Sequence, residues 1–99
     1  MIAAIIQARM GSTRLPNKTM MDLMGKPMLW HFLKRIKKAK RIDKVIIATS
    51  IDGKDDIIAD FARREGVDLF RGSENDVLDR FYQAAKKYAV NTIVRVTPD

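Results

Sequence analysis

Ile2-Ala3-Ala4-Ile5-Ile6-Gln7, continued directly by Ala8-Arg9-Met10-Gly11-Ser12-Thr13-Arg14-Leu15-Pro16-Asn17-Lys18, decides the fold. The first six residues form a near-continuous apolar run, the pattern of a β-strand covered on both faces. The residues after it cannot continue that strand. They carry three cations (Arg9, Arg14, Lys18), a Gly-Ser pair and a proline, and they read as a loop leaving the strand's carboxyl end. In an open α/β sheet that edge is where ligands bind. Clustered cations on adaptable backbone there suit a polyphosphate, whose charge needs fixed positive partners. No helical pattern begins before Pro27, so the loop is long, and long structured loops in compact domains are usually functional. A basic surface loop with no ligand is the plain alternative.

Outward from this stretch, strands and helices alternate. Pro27 suits the first turn of a helix, and Met28, Leu29, Phe32, Leu33 and Ile36 recur at helical spacing to about Lys40. Val45-Ile46-Ile47-Ala48-Thr49 is a second buried strand. Residues 55–65 follow as a helix with Ile57, Ile58, Phe61 and Ala62 on one face, stopped by Gly66. Residues 67–70 form a short third strand. Asn75 or Asp76 caps a third helix carrying Val77, Leu78, Phe81, Ala84, Ala85 and Tyr88, and residues 92–97 close with a β-branched fourth strand. The expected fold is a single α/β domain over residues 1–99: a Rossmann-like three-layer unit with a mainly parallel sheet, in the order β-α-β-α-β-α-β. An unpaired sheet edge favours a homo-oligomer.

Composition removes several classes of function. With 46% hydrophobic and 31% charged residues the chain is of globular type. The absence of cysteine excludes disulfides, thiolate zinc sites and cysteine nucleophiles, and a single histidine, His31, excludes a histidine-rich metal site. No apolar stretch has the length of a membrane span and no basic n-region opens the sequence, so a cytoplasmic location is expected. The net charge of +7 is unevenly spread: residues 1–50 hold 11 Lys/Arg against 2 Asp/Glu, residues 51–99 hold 8 against 10. Lys34, Arg35, Lys37, Lys38, Lys40, Arg41 and Lys44 make up most of the excess. Such a block can be a nucleic-acid footprint. A solvated helix end, where cations complement the helix dipole, is the favoured reading, because no aromatic residues are interleaved for base stacking.

Two common phosphate motifs fail in the first loop. Gly11 lacks the second glycine and the lysine of Gly-x-x-x-x-Gly-Lys-Ser/Thr, and Gly-x-Gly-x-x-Gly is absent. Charge is therefore supplied by side chains more than by a glycine nest. That suits a displaced pyrophosphate, which leaves better as cations neutralise its developing charge.

The same residues resemble the cytidylyltransferase family that activates acidic sugars, including the CMP-sialate and CMP-Kdo synthetases. The resemblance rests on Ala8 to Lys18, then Gly25-Lys26-Pro27, then Arg71-Gly72-Ser73-Glu74-Asn75-Asp76-Val77-Leu78-Asp79-Arg80, and it leans toward the SpsF-like branch concerned with spore coat polysaccharide. The chain differs from the common family pattern at Asn17 and at Pro98-Asp99, where glycine is usual at positions 17 and 98.

The resemblance implies a nucleotidyltransferase. A sugar hydroxyl attacks the α-phosphate of CTP and pyrophosphate leaves, with Mg²⁺ assistance. Arg9, Arg14 and Lys18 would hold and neutralise the phosphates. Gln7 and Ala8 would lie close to the nucleobase, with Gly11 and Ser12 at the phosphates. Asp99, after the fourth strand at the same sheet edge, would be the metal ligand, since Mg²⁺ binds through one or two carboxylates plus substrate phosphates. Arg71 either reaches the base or ribose or makes a surface ion pair. The resemblance also implies the N-terminal part of a longer catalytic domain, with the acceptor pocket elsewhere. Two other readings stand beside it: a non-catalytic nucleotide- or nucleic-acid-binding module using the basic block, and an inactive half-domain that persists by assembling with another chain.

The remaining polar residues read as structural. Asp52, Asp55 and Asp56 have metal-like spacing, but Asp55 and Asp56 suit the start of a helix. Asp79 and Arg80 fall in the third helix as a pair with neighbouring turns. His31 reads as helix surface, and Tyr82 and Tyr88 as packing.

Overall fold

The computed structural model describes residues 2–10, 20–72, 77–89 and 92–96, with Val77, Leu78, Phe81 and residues 92–96 described by backbone alone. Strand β1 (Ile2–Gln7) is followed by a two-residue hairpin, β2 (Asp22–Leu23) and β3 (Lys26–Pro27), and helix α1 (Met28–Lys37). Next come β4 (Lys44–Ser50), a 3₁₀ turn (Gly53–Asp55), α2 (Asp56–Glu65), β5 (Asp68–Gly72), α3 (Val77–Lys87) and β6 (Thr92–Val96). The main sheet has the order β5-β4-β1-β6 and every neighbouring pair in it is parallel.

The apolar run of β1 is central, and it is buried because both faces are covered. Ile6 and Ala8 pack with Ile47 of β4 against Leu29 and Leu33 of α1 and Ile58, Phe61 and Ala62 of α2. Ala3 and Ile5 pack with Ile46 and Ala48 against Ala84 of α3, with Phe70 and Tyr88 beside them. The period of two along a strand thus divides β1 between two cores. The reversal of strand order explains which helix goes where. The chain steps β1 to β4 to β5 in one direction and then returns past β1 to β6. With right-handed crossovers throughout, that reversal puts α3 on the face opposite α1 and α2. The expected three-layer α/β architecture is the one observed.

Local differences have local causes. The hairpin was not expected; its Met24-Gly25 loop has positive φ at both residues (54° and 86°), the backbone of a primed two-residue turn that matches strand twist. His31 is half-buried, and its Nε2 lies 2.7 Å from the Leu23 carbonyl, which only accepts, so the ring donates and ties α1 to the hairpin. Pro27 occupies the position just before α1 rather than its first turn. Helix α1 stops at Lys37, short of Lys40. On α2 the buried face is Ile58, Ala59, Phe61 and Ala62, while Ile57 is 46% exposed, because helical spacing sets it to one side of the arc those four residues share. Gly66 ends α2 with φ 67°, as a C-terminal glycine should. Strand β5 runs to Gly72, so Arg71 lies within it. Tyr82 is 61% exposed and does not pack, whereas Tyr88 is half-buried and its hydroxyl donates to the Leu69 carbonyl (2.9 Å).

Gly72 sits where no side chain fits. A Cβ there would come within 2.8 Å of Phe70 Cε2 and 3.2 Å of Arg80 Cγ. Gly72→Ala should therefore force the Phe70 ring or the strand end to shift, at a cost of about 1–3 kcal/mol. Urea denaturation measures this, and an unchanged midpoint would show that the strand end yields freely.

Candidate functional site

Parallel pairing aligns the carboxyl ends of β1, β4, β5 and β6 along one edge, and β1 and β6 meet there at the point where strand order reverses. A crevice at such a reversal is the usual ligand site of an open α/β sheet. At this edge β1 ends in Gln7 and Ala8, both buried, and the Ala8 amide donates to the Ala48 carbonyl (3.1 Å), carrying the β1–β4 ladder one residue past the strand. Arg9 and Met10 follow, both half-buried.

Two buried polar links hold the floor. On the α3 face, Arg80 is 1% exposed and its Nε donates to Gln7 Oε1 at 2.9 Å. A guanidinium has only donors, so Gln7 must present its carbonyl oxygen to it, and the orientation of the Gln7 amide is set. On the other side Asp55 is fully buried. The Met10 amide donates to its Oδ1 (2.7 Å) and the Ser50 hydroxyl donates to its Oδ2. Burial of a carboxylate is tolerable only when such donors replace its water.

The turn after β4 is cross-braced. The Asp52 amide donates to Ser50 Oγ (3.1 Å), and Asp52 Oδ1 accepts from the Lys54 amide (3.0 Å). Arg71 donates from Nε to the Ser50 carbonyl (2.8 Å) and from Nη2 to the Asp52 carbonyl (3.0 Å), and pairs with Asp56 Oδ1 at 2.8 Å. One arginine fork thus joins β5 to the whole segment between β4 and α2. Thr49, also buried at this edge, is the one described side chain whose buried oxygen has no partner.

Of the residues expected at a site, Gln7, Ala8 and Arg9 lie together at the end of β1, and Arg71 lies on the neighbouring β5–β4 flank. Gly11, Ser12, Arg14, Lys18 and Asp99 lie outside the described residues. Asp52, Asp55 and Asp56 do not converge. One caps the 3₁₀ turn, one holds Met10 and Ser50, and one pairs with Arg71. Among the described residues no three Asp, Glu, His or Cys side chains are placed to hold a metal ion.

Arg80 and Asp55 were missed as site-supporting groups. Arg80 reaches back to β1, and the Asp55 side chain caps no amide of α2. Arg80 did carry a signal, since it falls four residues before the buried Ala84 on the apolar stripe of α3.

The opposite edge of the sheet has different chemistry. A depression of about 330 Å³ there is lined by strand beginnings and helix ends, among them Lys37, Lys44, Gly66 and Asp68. Lys34, Arg35, Lys37, Lys38, Lys40 and Arg41 are exposed, and Lys44 pairs with Asp68 at 2.8 Å. The basic block is a solvated helix end, at the edge of the sheet opposite the carboxyl ends of the strands. Among the described residues no helix is long and apolar enough to cross a membrane.

Known proteins share the sequence pattern and the fold. A family model described as cytidylyltransferase matches residues 3–99. The spore coat polysaccharide biosynthesis protein SpsF of Bacillus subtilis is 40% identical over 99% of this chain and 42% of its own length. The solved structure of a cytidylyltransferase from Leptospira borgpetersenii superposes with a TM-score of 0.93 at 41% identity, covering 99% of this chain and 41% of that one. The structure of CMP:2-keto-3-deoxy-manno-octonic acid synthetase complexed with CTP superposes with a TM-score of 0.78 at 25% identity, over 99% of this chain and 40% of that one. The chain spans about two fifths of the length of these relatives. By the match over nearly all of its residues, the chain belongs to the cytidylyltransferase family.

Proposed function

We propose that this chain is the nucleotide-binding part of a CTP-dependent nucleotidyltransferase that activates a sugar for surface or spore-coat polysaccharide synthesis. The observation that carries the reading is that buried Gln7 and Ala8 deliver Arg9, the first of the three cations, to the carboxyl edge of the sheet at the point of strand reversal. A relative of the same fold is known in complex with CTP, which supports the choice of nucleotide. Gln7 and Ala8 would lie against the base. Arg9, Arg14 and Lys18 would hold the triphosphate, with Gly11 and Ser12 supplying backbone room and a hydroxyl donor.

In the reaction a sugar hydroxyl oxygen forms a bond to the α-phosphorus, the bond from that phosphorus to the bridging oxygen breaks, and pyrophosphate departs with the electron pair. The residues named here neutralise charge on the leaving group and fix its direction, and positioning with electrostatics is the main source of rate in such transfers. Mg²⁺, when bound, would add charge neutralisation at the phosphates, with Asp99 as its protein ligand.

Titration calorimetry with CTP and Mg²⁺ tests the reading. The chain should bind CTP, and Arg14→Ala and Lys18→Ala should each weaken binding by about 1–3 kcal/mol, the scale of a charge-assisted hydrogen bond. Unchanged affinity in both variants would remove these residues from the site.

A further inference from the structure

We infer that Asp55 is a positioning residue: its buried carboxylate latches the Met10 amide, three residues past β1, to the turn after β4, and so fixes the backbone on which Arg9 enters the proposed nucleotide site. The inference rests on the proposed nucleotide site. Asp55 lies 45 residues from Met10 in sequence, yet its Oδ1 takes the Met10 amide at 2.7 Å while Oδ2 takes the Ser50 hydroxyl. Met10 directly follows Arg9, and both are half-buried at the carboxyl end of β1. A free loop amide at this point would turn to water. Held by a carboxylate with no exposure, it fixes the departure direction of the chain.

The other end of the latch is itself immobilised. Ser50 is the last residue of β4 and accepts from the Asp52 amide, while Arg71 holds the carbonyls of Ser50 and Asp52 and the Asp56 carboxylate. Asp55 therefore transmits the geometry of β4 and β5 to the backbone at Met10, next to Arg9. A carboxylate is required because it offers two acceptor oxygens to two donors; an amide offers one, and its NH₂ then faces a donor unless the Ser50 hydroxyl rotates.

The test combines amide hydrogen exchange with CTP titration on Asp55→Ala, Asp55→Asn and a control, Tyr88→Phe, which removes a hydrogen bond on the opposite face of the sheet. Exchange at the Met10 amide should accelerate more than tenfold in Asp55→Ala, with the Ile5 and Ile6 amides still protected, and CTP affinity should fall at least tenfold. Asp55→Asn, which can keep one of the two bonds, should fall between Asp55→Ala and wild type on both readouts, and decides the matter alone if the alanine variant does not fold. Tyr88→Phe should lose stability yet bind CTP as wild type does, which separates positioning from general destabilisation. A folded Asp55 variant with a faster Met10 amide and unchanged CTP affinity would overturn the inference, as would unchanged Met10 exchange. If wild type itself binds no CTP, the proposed function fails, and Met10 exchange still decides whether Asp55 holds the loop.

Discussion

Arg80→Ala should cost about 3 kcal/mol or more of folding stability, the largest effect of any single substitution proposed for the sheet edge. The side chain is 1% exposed, so its removal leaves a cavity that the surrounding strands cannot fully close. Its Nε hydrogen bond to Gln7 Oε1 is lost as well, and a buried acceptor deprived of a charged donor adds its own penalty. Arg80→Lys should recover part of the loss, since the charge and stem remain while the planar fork is gone. Urea denaturation of the three proteins gives the ranking. The nitrogen-15 resonance of the Gln7 side-chain amide should shift in both variants, because Arg80 fixes which end of that amide faces the helix. A denaturation midpoint equal to wild type in Arg80→Ala would mean that Arg80 supports neither the fold nor Gln7.

Arg80 also marks the limit of what the sequence makes legible. The central strand could be read because Ile2–Gln7 is apolar at every position but the last, and such a run has few homes other than a doubly covered strand. The three-layer α/β class with a parallel sheet followed from the alternation of strands and helices. The stretch after β1 was legible as a candidate site because a strand end and clustered cations coincide there in the sequence. The supports of that site were not. A lone arginine or aspartate in a helical stretch is most often solvated or a cap, and nothing local distinguishes Asp55, whose partner Met10 is 45 residues away. Long-range pairing of polar groups has no periodicity to betray it. The hairpin was invisible for another reason. Its strands have two residues each, too short for any alternation, and Met24 is an unusual occupant of a left-handed turn position. Ile57 and Tyr82 show the converse error, in which an apolar residue beside a buried stripe is taken to belong to it.

Mg²⁺ should strengthen CTP binding by about tenfold or more, roughly 1.4 kcal/mol, and Asp99→Asn should abolish most of that gain while leaving metal-free binding nearly unchanged. The reasoning starts from charge. Arg9, Arg14 and Lys18 can match much of the charge of a triphosphate, but a divalent ion shared between phosphates and one carboxylate is the usual supplement. The carboxylates described at this edge have other tasks: Asp52 caps the 3₁₀ turn, Asp55 holds Met10 and Ser50, and Asp56 pairs with Arg71. Strand β6 runs parallel to β1, with Val96 opposite Ile6, so the chain leaves β6 from the same edge as the loop of β1, three residues before Asp99. Asparagine at position 99 keeps the shape and removes the charge that Mg²⁺ requires. Calorimetry with and without EDTA, on wild type, Asp99→Asn and Lys18→Ala, forms a cycle that isolates the coupling between metal and residue. Lys18→Ala should weaken CTP in both conditions, because it acts on phosphate directly. Asp99→Asn should weaken CTP only when Mg²⁺ is present. A full Mg²⁺ response in the asparagine variant would remove Asp99 from the metal site and direct attention to carboxylates elsewhere in the protein.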